Sequence, residues 1–364
     1  MILDRYFARR FLGSFLLISA VFMTLIVLID VIEQLRDFDG IGFARVLGMT
    51  LLNVPGALKE ILPLLMILST ILLYVSLARS SELVIARASG RSGIRALAAP
   101  ATVAFVIGVL AVTTLGPIAA ATANRYADLA DFYRTGGATT LSFTGEGLWL
   151  RQGDANGQSV IHASGYGESD DLAIYDVTII SYAPGGGPVQ RISAVSGRLE
   201  PDAWVLRDAK VWPLDTGGNP ETVARTAPTL RFPTSLTPER IRESLGRDSG
   251  VSIYALPETI RTLREAGFST RRQEVWLQVE LARPLFLMAM VLVGAAFTMR
   301  HTRFGGTGAS VLTAVLLGFA LYFIRNFAQI LGENGQIPVT LAAWGPPVAS
   351  LMLTFGLLLH VEDG

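Results

Sequence analysis

RSSELVIARASG, Arg79 to Gly90, is a short charged segment set between two long apolar runs, Pro55 to Leu77 and Ile94 to Ile118. As a helix, each run is long enough to cross about 30 Å of hydrocarbon. The pattern reads as two membrane spans joined by an amphipathic insert. Within the insert, Ser81 is placed to cap a helix, because its hydroxyl accepts a free backbone N–H. Glu82 then falls in the first turn, where the helix dipole favours a negative charge. Gly90 suits the left-handed position that ends a helix. The spacing predicts a helix of about two turns over residues 81–89. Its apolar residues Leu83, Val84 and Ile85 need a cover, either lipid headgroups or a partner protein's groove. A plain connecting helix, with Glu82 only a capping charge, accounts for the same spacing.

Four further apolar runs of spanning length flank this pair. They are Phe11 to Ile32, Val275 to Met299, Gly308 to Leu331 and Pro338 to His360. Composition agrees: 51% of the chain is hydrophobic and 16% charged, against about a quarter charged in soluble domains. The run from Phe11 exceeds the usual signal-peptide core and ends without a small-residue cleavage site, so it reads as a retained span. Loop charges set the orientation. Arg5, Arg9 and Arg10 precede the first span, Arg79, Arg87, Arg91 and Arg95 bracket the second loop, and Arg300 and Arg303 lie in the fourth. All belong to the cytoplasmic side. Glu33, Asp37 and Asp39 dominate the first loop and Glu333 the fifth, on the opposite side. Both termini are then cytoplasmic.

Between the third and fourth spans the pattern changes. LSFTGEGLWLRQ, SVIHA, LAIYDVTIISY, VQRISA and AWVLRDAKVWP alternate apolar and polar residues as strands do. GDANG, GESDD, PGGGP and DTGGNP punctuate them as turns. This predicts a β-sandwich or jelly roll, placed in the periplasm by the span count. Ser252 to Ala266 returns to helical spacing, with Gly267 as its stop. The expected fold is an α-helical membrane protein with six transmembrane helices (3+3) and an inserted all-β domain. Its expected parts are 1–118, with spans 1–3; 119–272, with the β domain and a connecting helix; and 273–364, with spans 4–6.

Several chemistries are excluded or weak. With no cysteine there is neither a disulfide nor a thiolate site. His162, His301 and His360 are too far apart in sequence to suggest a metal cluster. Lysine occurs only at Lys59 and Lys210, and no G-x-x-x-x-G-K-[ST] is present, so ATP is not held by a P-loop here. No G-x-S-x-G nucleophile motif exists. No cofactor is implied, and neutral net charge argues against nucleic acid. Arg325 lies within the fifth span, where an unpaired charge is costly and a functional role is the default; snorkelling towards headgroups is the bland alternative. Asp30, Glu33 and Arg36 share one face at the outer end of the first span. Trp149, Trp204 and Trp212 fall in strand patterns and read as β-domain core. Trp276 and Trp344 read as anchors at span ends.

RSSELVIARASG resembles the coupling-helix segment of the YjgP/YjgQ (LptF/LptG) family of lipopolysaccharide-export permeases. The opening ILDRYFARRF, GLWLR at the start of the β region, SLTPERI at its end and SIYALPETIRTLREAG before the fourth span agree with it in the same order. That last helix is more similar to the LptG branch than to the LptF branch. The resemblance implies a non-catalytic permease subunit of an ABC-type complex with a periplasmic β-jellyroll. It implies an LptF-like paralogue, an LptB-like ATPase dimer, an LptC-like single-span protein and, through the complex, an LptA-like periplasmic bridge. The complex would extract lipopolysaccharide from the bacterial inner membrane. Ser81, Glu82, Leu83, Ile85, Arg87 and Gly90 would couple to the ATPase, Glu82 by contacting an arginine there. Arg36 falls where family members place basic residues against lipid phosphates, although Asp30 and Asp37 stand nearby where a lysine is expected. Arg325 is read as supplying the missing positive charge, or else as pairing with Asp30 or Glu33. Phe22, Leu25, Phe319 and Phe323 would meet acyl chains. A stand-alone secondary transporter and a membrane-anchored periplasmic adaptor are the alternative classes.

Overall fold

The computed structural model describes residues 2–38, 40–82, 85, 93–135, 139–144, 147–154, 157–167, 173–183, 187–200, 202–214, 219–234, 251–265, 269–299 and 307–363. They form two compact units, one of Met1–Asn124 with Ser249–Gly364, the other of Arg125–Asp248.

The first unit is helical. Six of its helices are long and apolar enough to cross a membrane. They belong to α1 (Ile2–Asp37), α2 (Phe43–Arg79), α3 (Gly93–Leu110), which runs on through a π-turn (Ala111–Leu115) into α4 (Gly116–Thr135), α6 (Arg271–Thr298), α7 (Thr307–Glu333) and α8 (Val339–Asp363). A short α5 (Leu256–Glu265) precedes α6. Three helices outrun their apolar stretches. At 1.5 Å per residue α1 and α2 are each about 55 Å long, and α4 continues through residues 119–135, which the sequence pattern grouped with the β region.

Burial is uneven. Leu65, Met66, Leu73 and Tyr74 of α2 and Phe286, Leu287, Met290 and Val291 of α6 form the centre of one apolar core. Small residues let the helices close up there, as in other helical membrane proteins. A side chain at Gly294 would meet Thr70 and Ile67, and one at Gly108 would meet the backbone of Pro284. By contrast, α1 buries only Phe7, Phe11 and Gln34.

The prolines do not end the helices. Pro63 has no N–H to give the carbonyl of Lys59 one turn earlier. Arg283 of α6 donates to that carbonyl through Nη1 at 3.1 Å. In the π-turn, where Gly116 donates to the Ala111 carbonyl five residues back and Pro117 has no N–H to give, the Tyr254 hydroxyl donates to the Thr113 carbonyl at 2.9 Å. Freed backbone groups are thus satisfied by neighbouring side chains, as a membrane-spanning helix requires.

The second unit takes in the last turns of α4 and one antiparallel sheet of seven strands in the order β1-β2-β3-β4-β5-β6-β7. The strands are β1 (Thr139–Thr144), β2 (Gly147–Asp154), β3 (Gly157–Gly167), β4 (Ala173–Tyr182), β5 (Pro188–Glu200), β6 (Ala203–Pro213) and β7 (Arg225–Pro233). The inserted all-β domain legible in the strand alternation is present, and each described strand pairs with its chain neighbours in up-and-down order. LSFTGEGLWLRQ divides into a hairpin that pairs Thr144 with Gly147. The edge strand β7 escaped notice because Pro228 and two arginines interrupt its alternation.

The alternation slips by one residue along a row. Buried positions in β4 are Ile174, then Val177 and Ile179; in β6 they are Ala203, Trp204 and Leu206, then Ala209. Asp176 and Asp208, at the slips, both have φ of 51°. Neither strand carries an extra residue there, since the register is the same on both sides of each gap; the left-handed residue itself turns the strand. The ladder passes over Ser164 and Asp176 between β3 and β4, Asp176 and Val195 between β4 and β5, Ala194, Val195, Asp208 and Ala209 between β5 and β6, and Asp208 and Pro228 between β6 and β7. Ser164 Oγ donates to Asp176 Oδ2 across the row at 3.0 Å. The row allows the sheet to bend while the same face keeps its side chains in one core.

Of the tryptophans, Trp204 is fully buried in that core. Trp149 and Trp212 are not core residues. Trp149 is exposed and stacks on His162, with ring centroids 4.3 Å apart. Trp212 lies between the cations of Lys210 and Arg191 and donates its indole N–H to Glu221. Both are amphipathic, and their alternation placed them on the polar face. Trp344 donates to Gln278 Oε1 of α6 at 2.9 Å.

Candidate functional site

α2 ends at Arg79, and Ser80 returns its N–H to the carbonyl of Ser76. Ser81 has φ of 60°, the left-handed region uncommon for a residue with a side chain. Its carbonyl accepts the N–H of Ile85 at 3.2 Å. Ser81 thus both stops α2 and starts the next turn, whereas the sequence assigned it only the second role. Ile85 is 67% exposed. Leu83, Arg87 and Gly90 lie outside the described residues.

Glu82 is met by the start of α1. The Tyr6 hydroxyl donates to Glu82 Oε2 at 2.5 Å, and Arg10 Nη2 donates to Oε1 at 3.2 Å. Arg10 Nε also donates to the Tyr6 oxygen at 2.9 Å, with the guanidinium 5.4 Å from the ring centroid. Tyr6 and Arg10 are one turn apart, so one face of α1 presents both. The Tyr6 hydroxyl, aided by Ser80 and Arg10 and opposed by some desolvation, holds the Glu82 carboxyl below the usual range. Glu82 is therefore a fixed anion at neutral pH. Sequence spacing offered no hint of this contact, although the i, i+4 pairing of Tyr6 with Arg10 was visible.

The candidate lipid contacts divide. Leu25 on α1 and Phe319 and Phe323 on α7 are exposed. Phe22 is half-buried against the helical core. Arg36 is exposed in the last turn of α1. Asp30 accepts from Gln34 at 2.6 Å and Asn53 at 3.0 Å. Its carboxylate thereby serves the α1–α2 contact and not Arg325.

Arg325 is only 8% exposed and sits over the Phe286 ring at 5.3 Å. Among the described residues no carboxylate lies within 4.0 Å of it, so pairing with Asp30 or Glu33 does not occur. Two residues from Phe323 is about 200° of helix rotation, so Arg325 turns inward where Phe323 turns out. Helical spacing already contained that separation.

Beneath Arg325 lies a cluster the sequence did not reveal. Glu280 of α6 is 3% exposed and is bound by two cations. Arg283 donates Nη2 to Oε1 at 2.5 Å and Nε to Oε2 at 3.0 Å. Lys59 Nζ of α2 stands 3.1 Å from Oε1. Lys59 is also 5.8 Å from the Trp276 ring. The cluster therefore joins α2 to α6 through one carboxylate and, via Arg283, through the Lys59 carbonyl that Pro63 leaves free. No group of three or more metal-ligating side chains occurs among the described residues.

The chain matches the family "Lipopolysaccharide export system permease LptF/LptG" over residues 5–360. It is similar to the lipopolysaccharide export system permease protein LptG of Haemophilus influenzae, 24% identical over 381 residues, with 99% of each chain covered. It is also similar to the protein of that name from Escherichia coli K12, 24% identical over 359 residues, which cover 97% of this chain and 94% of the other.

Proposed function

The chain belongs to the LptF/LptG family and is a lipopolysaccharide export permease of the inner membrane, and from that premise we propose that it is the LptG-like half of an ATP-driven extractor. Its non-catalytic helices open and close a lipid path, while hydrolysis takes place in a separate LptB-like ATPase dimer. An LptF-like paralogue completes the path, an LptC-like span joins it, and an LptA-like bridge receives the lipid. Both termini and residues 79–95 face the cytoplasm, and the sheet unit faces the periplasm, as the arginine distribution favours.

The observation that carries this reading is the contrast between helices. α2 and α6 are buried, whereas α1 and α7 keep long apolar faces uncovered, including Leu25, Phe319 and Phe323. Such faces suit acyl chains and a second permease. Arg36, at the outer end of α1, is the exposed cation suited to a lipid phosphate. Arg325 would reach one only after α7 turns, and until then its charge faces the α2–α6 core. Residues 81–90 engage the ATPase, with Glu82 as the ionic contact and Ile85 as an apolar one.

Tagged purification from native membranes in mild detergent tests the reading. The expected result is recovery of a second six-span permease and a small P-loop ATPase, with lipopolysaccharide bound. Recovery of the chain alone, under conditions that keep other ABC complexes intact, would return the adaptor and secondary-transporter alternatives. Glu82→Lys should abolish export in an ATPase-driven permease and leave either alternative working.

A further inference from the structure

Glu82 is already engaged before any partner arrives. Tyr6 holds one carboxylate oxygen and Arg10 the other, from positions 76 and 72 residues earlier in the chain. A carboxylate offers about four lone-pair positions, so at least one stays open. Its side chain is 30% exposed and that of Arg10 50% exposed, so a second cation can approach without burying the first. The exposed Ile85 supplies an apolar neighbour on the same segment.

The α1 side of the contact is anchored. Tyr6 packs edge-on against Phe7, with centroids 6.0 Å apart, and Phe7 is fully buried in the helical core. Tyr6 and Arg10 also brace each other. Glu82 is restrained by the left-handed turn at Ser81. Two rigid helices, α1 and α2, therefore converge on one carboxylate.

We propose that Glu82 is a bridge: it binds a guanidinium or ammonium group in an apolar-walled groove of the ATPase while Tyr6 and Arg10 keep it tied to α1. Tyr6 and Arg10 are positioning residues, and they make α1 move with the docked ATPase. Because α1 carries the exposed Leu25 and Arg36, ATPase motion reaches the lipid-facing helix without passing through the buried core. The proposal rests on the reading of residues 81–90 as the ATPase contact.

The test uses the full complex in proteoliposomes with lipopolysaccharide, comparing Tyr6→Phe, Arg10→Gln and Glu82→Gln. Each is scored for co-purified ATPase, ATP hydrolysis and lipid released per ATP. Glu82→Gln should lose most of the ATPase. Tyr6→Phe, which keeps the ring on Phe7, and Arg10→Gln should retain it and hydrolyse ATP. Their lipid yield per ATP should fall about tenfold, the factor for losing one hydrogen bond to a charged group. Wild-type yield in both variants would overturn the bridge, and so would loss of the ATPase matching Glu82→Gln, which would make them part of the dock itself. If Glu82→Gln keeps both ATPase and export, the docking reading fails first, and that outcome is separate from the behaviour of Tyr6 and Arg10.

Discussion

Two carboxylates in this protein have nearly the same ligands and opposite surroundings. Glu280 binds Arg283 and Lys59 inside the α2–α6 contact, and Glu82 binds Arg10 and Tyr6 near the surface. Glu280 is 3% exposed and the side chains of Lys59 and Arg283 only 15% and 11%, so little water can stand in for a lost partner. Taking one partner away strands a buried charge, and the contact cannot be exchanged in function. Glu82 keeps open lone pairs and loses little hydration, so its contacts are weak one by one and can be shared with a partner. Burial, together with the second cation that Glu280 holds where Glu82 holds a neutral phenol, separates a lock from a docking point.

The sharpest way to break the comparison is Glu280→Ala. It leaves Lys59 and Arg283 buried without an anion, which costs about 3–5 kcal/mol. Thermal unfolding in detergent should show a large fall in Tm. An unchanged Tm would mean that water reaches the cluster and that the two sites are alike. Arg325→Met comes next, with the opposite sign. A buried cation that makes no ion pair of its own, and that faces the cations of the Glu280 cluster, is replaced by a flexible apolar chain, and stability should hold or rise by up to about 1–4 kcal/mol, as when buried charges give way to packed apolar groups. A fall in the lipid-free protein would point to an anionic partner.

Tyr254→Phe removes the donor to the Thr113 carbonyl in the π-turn. A single hydrogen bond predicts a loss of about 0.5–1.5 kcal/mol, measurable by the same melts. Glu82→Gln should move stability least, by at most about 1 kcal/mol for an exposed pair. Its effect belongs in ATPase binding. The pH dependence at Glu82 has a definite sign. The folded carboxyl titrates below its ordinary value, so its contribution is complete above about pH 4.3, the unfolded value, and is lost as pH falls through the folded one. Titration of the Tyr6 ring environment by fluorescence should therefore stay flat from neutral pH down to that range and change below it. A transition near neutrality would contradict the assignment.

Much of the fold was legible because it depends on short-range pattern. Run length marked the six spans, since the hydrocarbon thickness fixes how many apolar residues a helix needs. Period-two alternation marked most of the strands. The pattern failed where its period was interrupted: Pro228 concealed β7, and the slips at Asp176 and Asp208 gave no warning in a sequence that simply reads as polar there. The extension of α4 to Thr135 was missed because its residues are mixed in polarity and no longer need lipid. At the candidate site, Glu82 was legible from its neighbours in sequence, but the Glu280 cluster was not, since Glu280 and Arg283 are two charges in a long apolar run and Lys59 lies far away in the chain.

The sequence by itself determined that six helices cross a membrane, that a sheet is inserted after the third, and that a charged segment with Glu82 interrupts the apolar pattern between the second and third. Those are properties of composition and period, and they do not depend on distant residues. Only the tertiary structure decided what Glu82 touches, which way Arg325 turns, what closes the backbone gap at Pro63 and what donates to the Thr113 carbonyl. Each of those depends on side chains far apart in the chain meeting at one point. An apolar helix leaves many rotations and partners nearly equal in hydrophobic energy, and it is packing around groups such as Gly294 and the need to satisfy buried charges and carbonyls that select one.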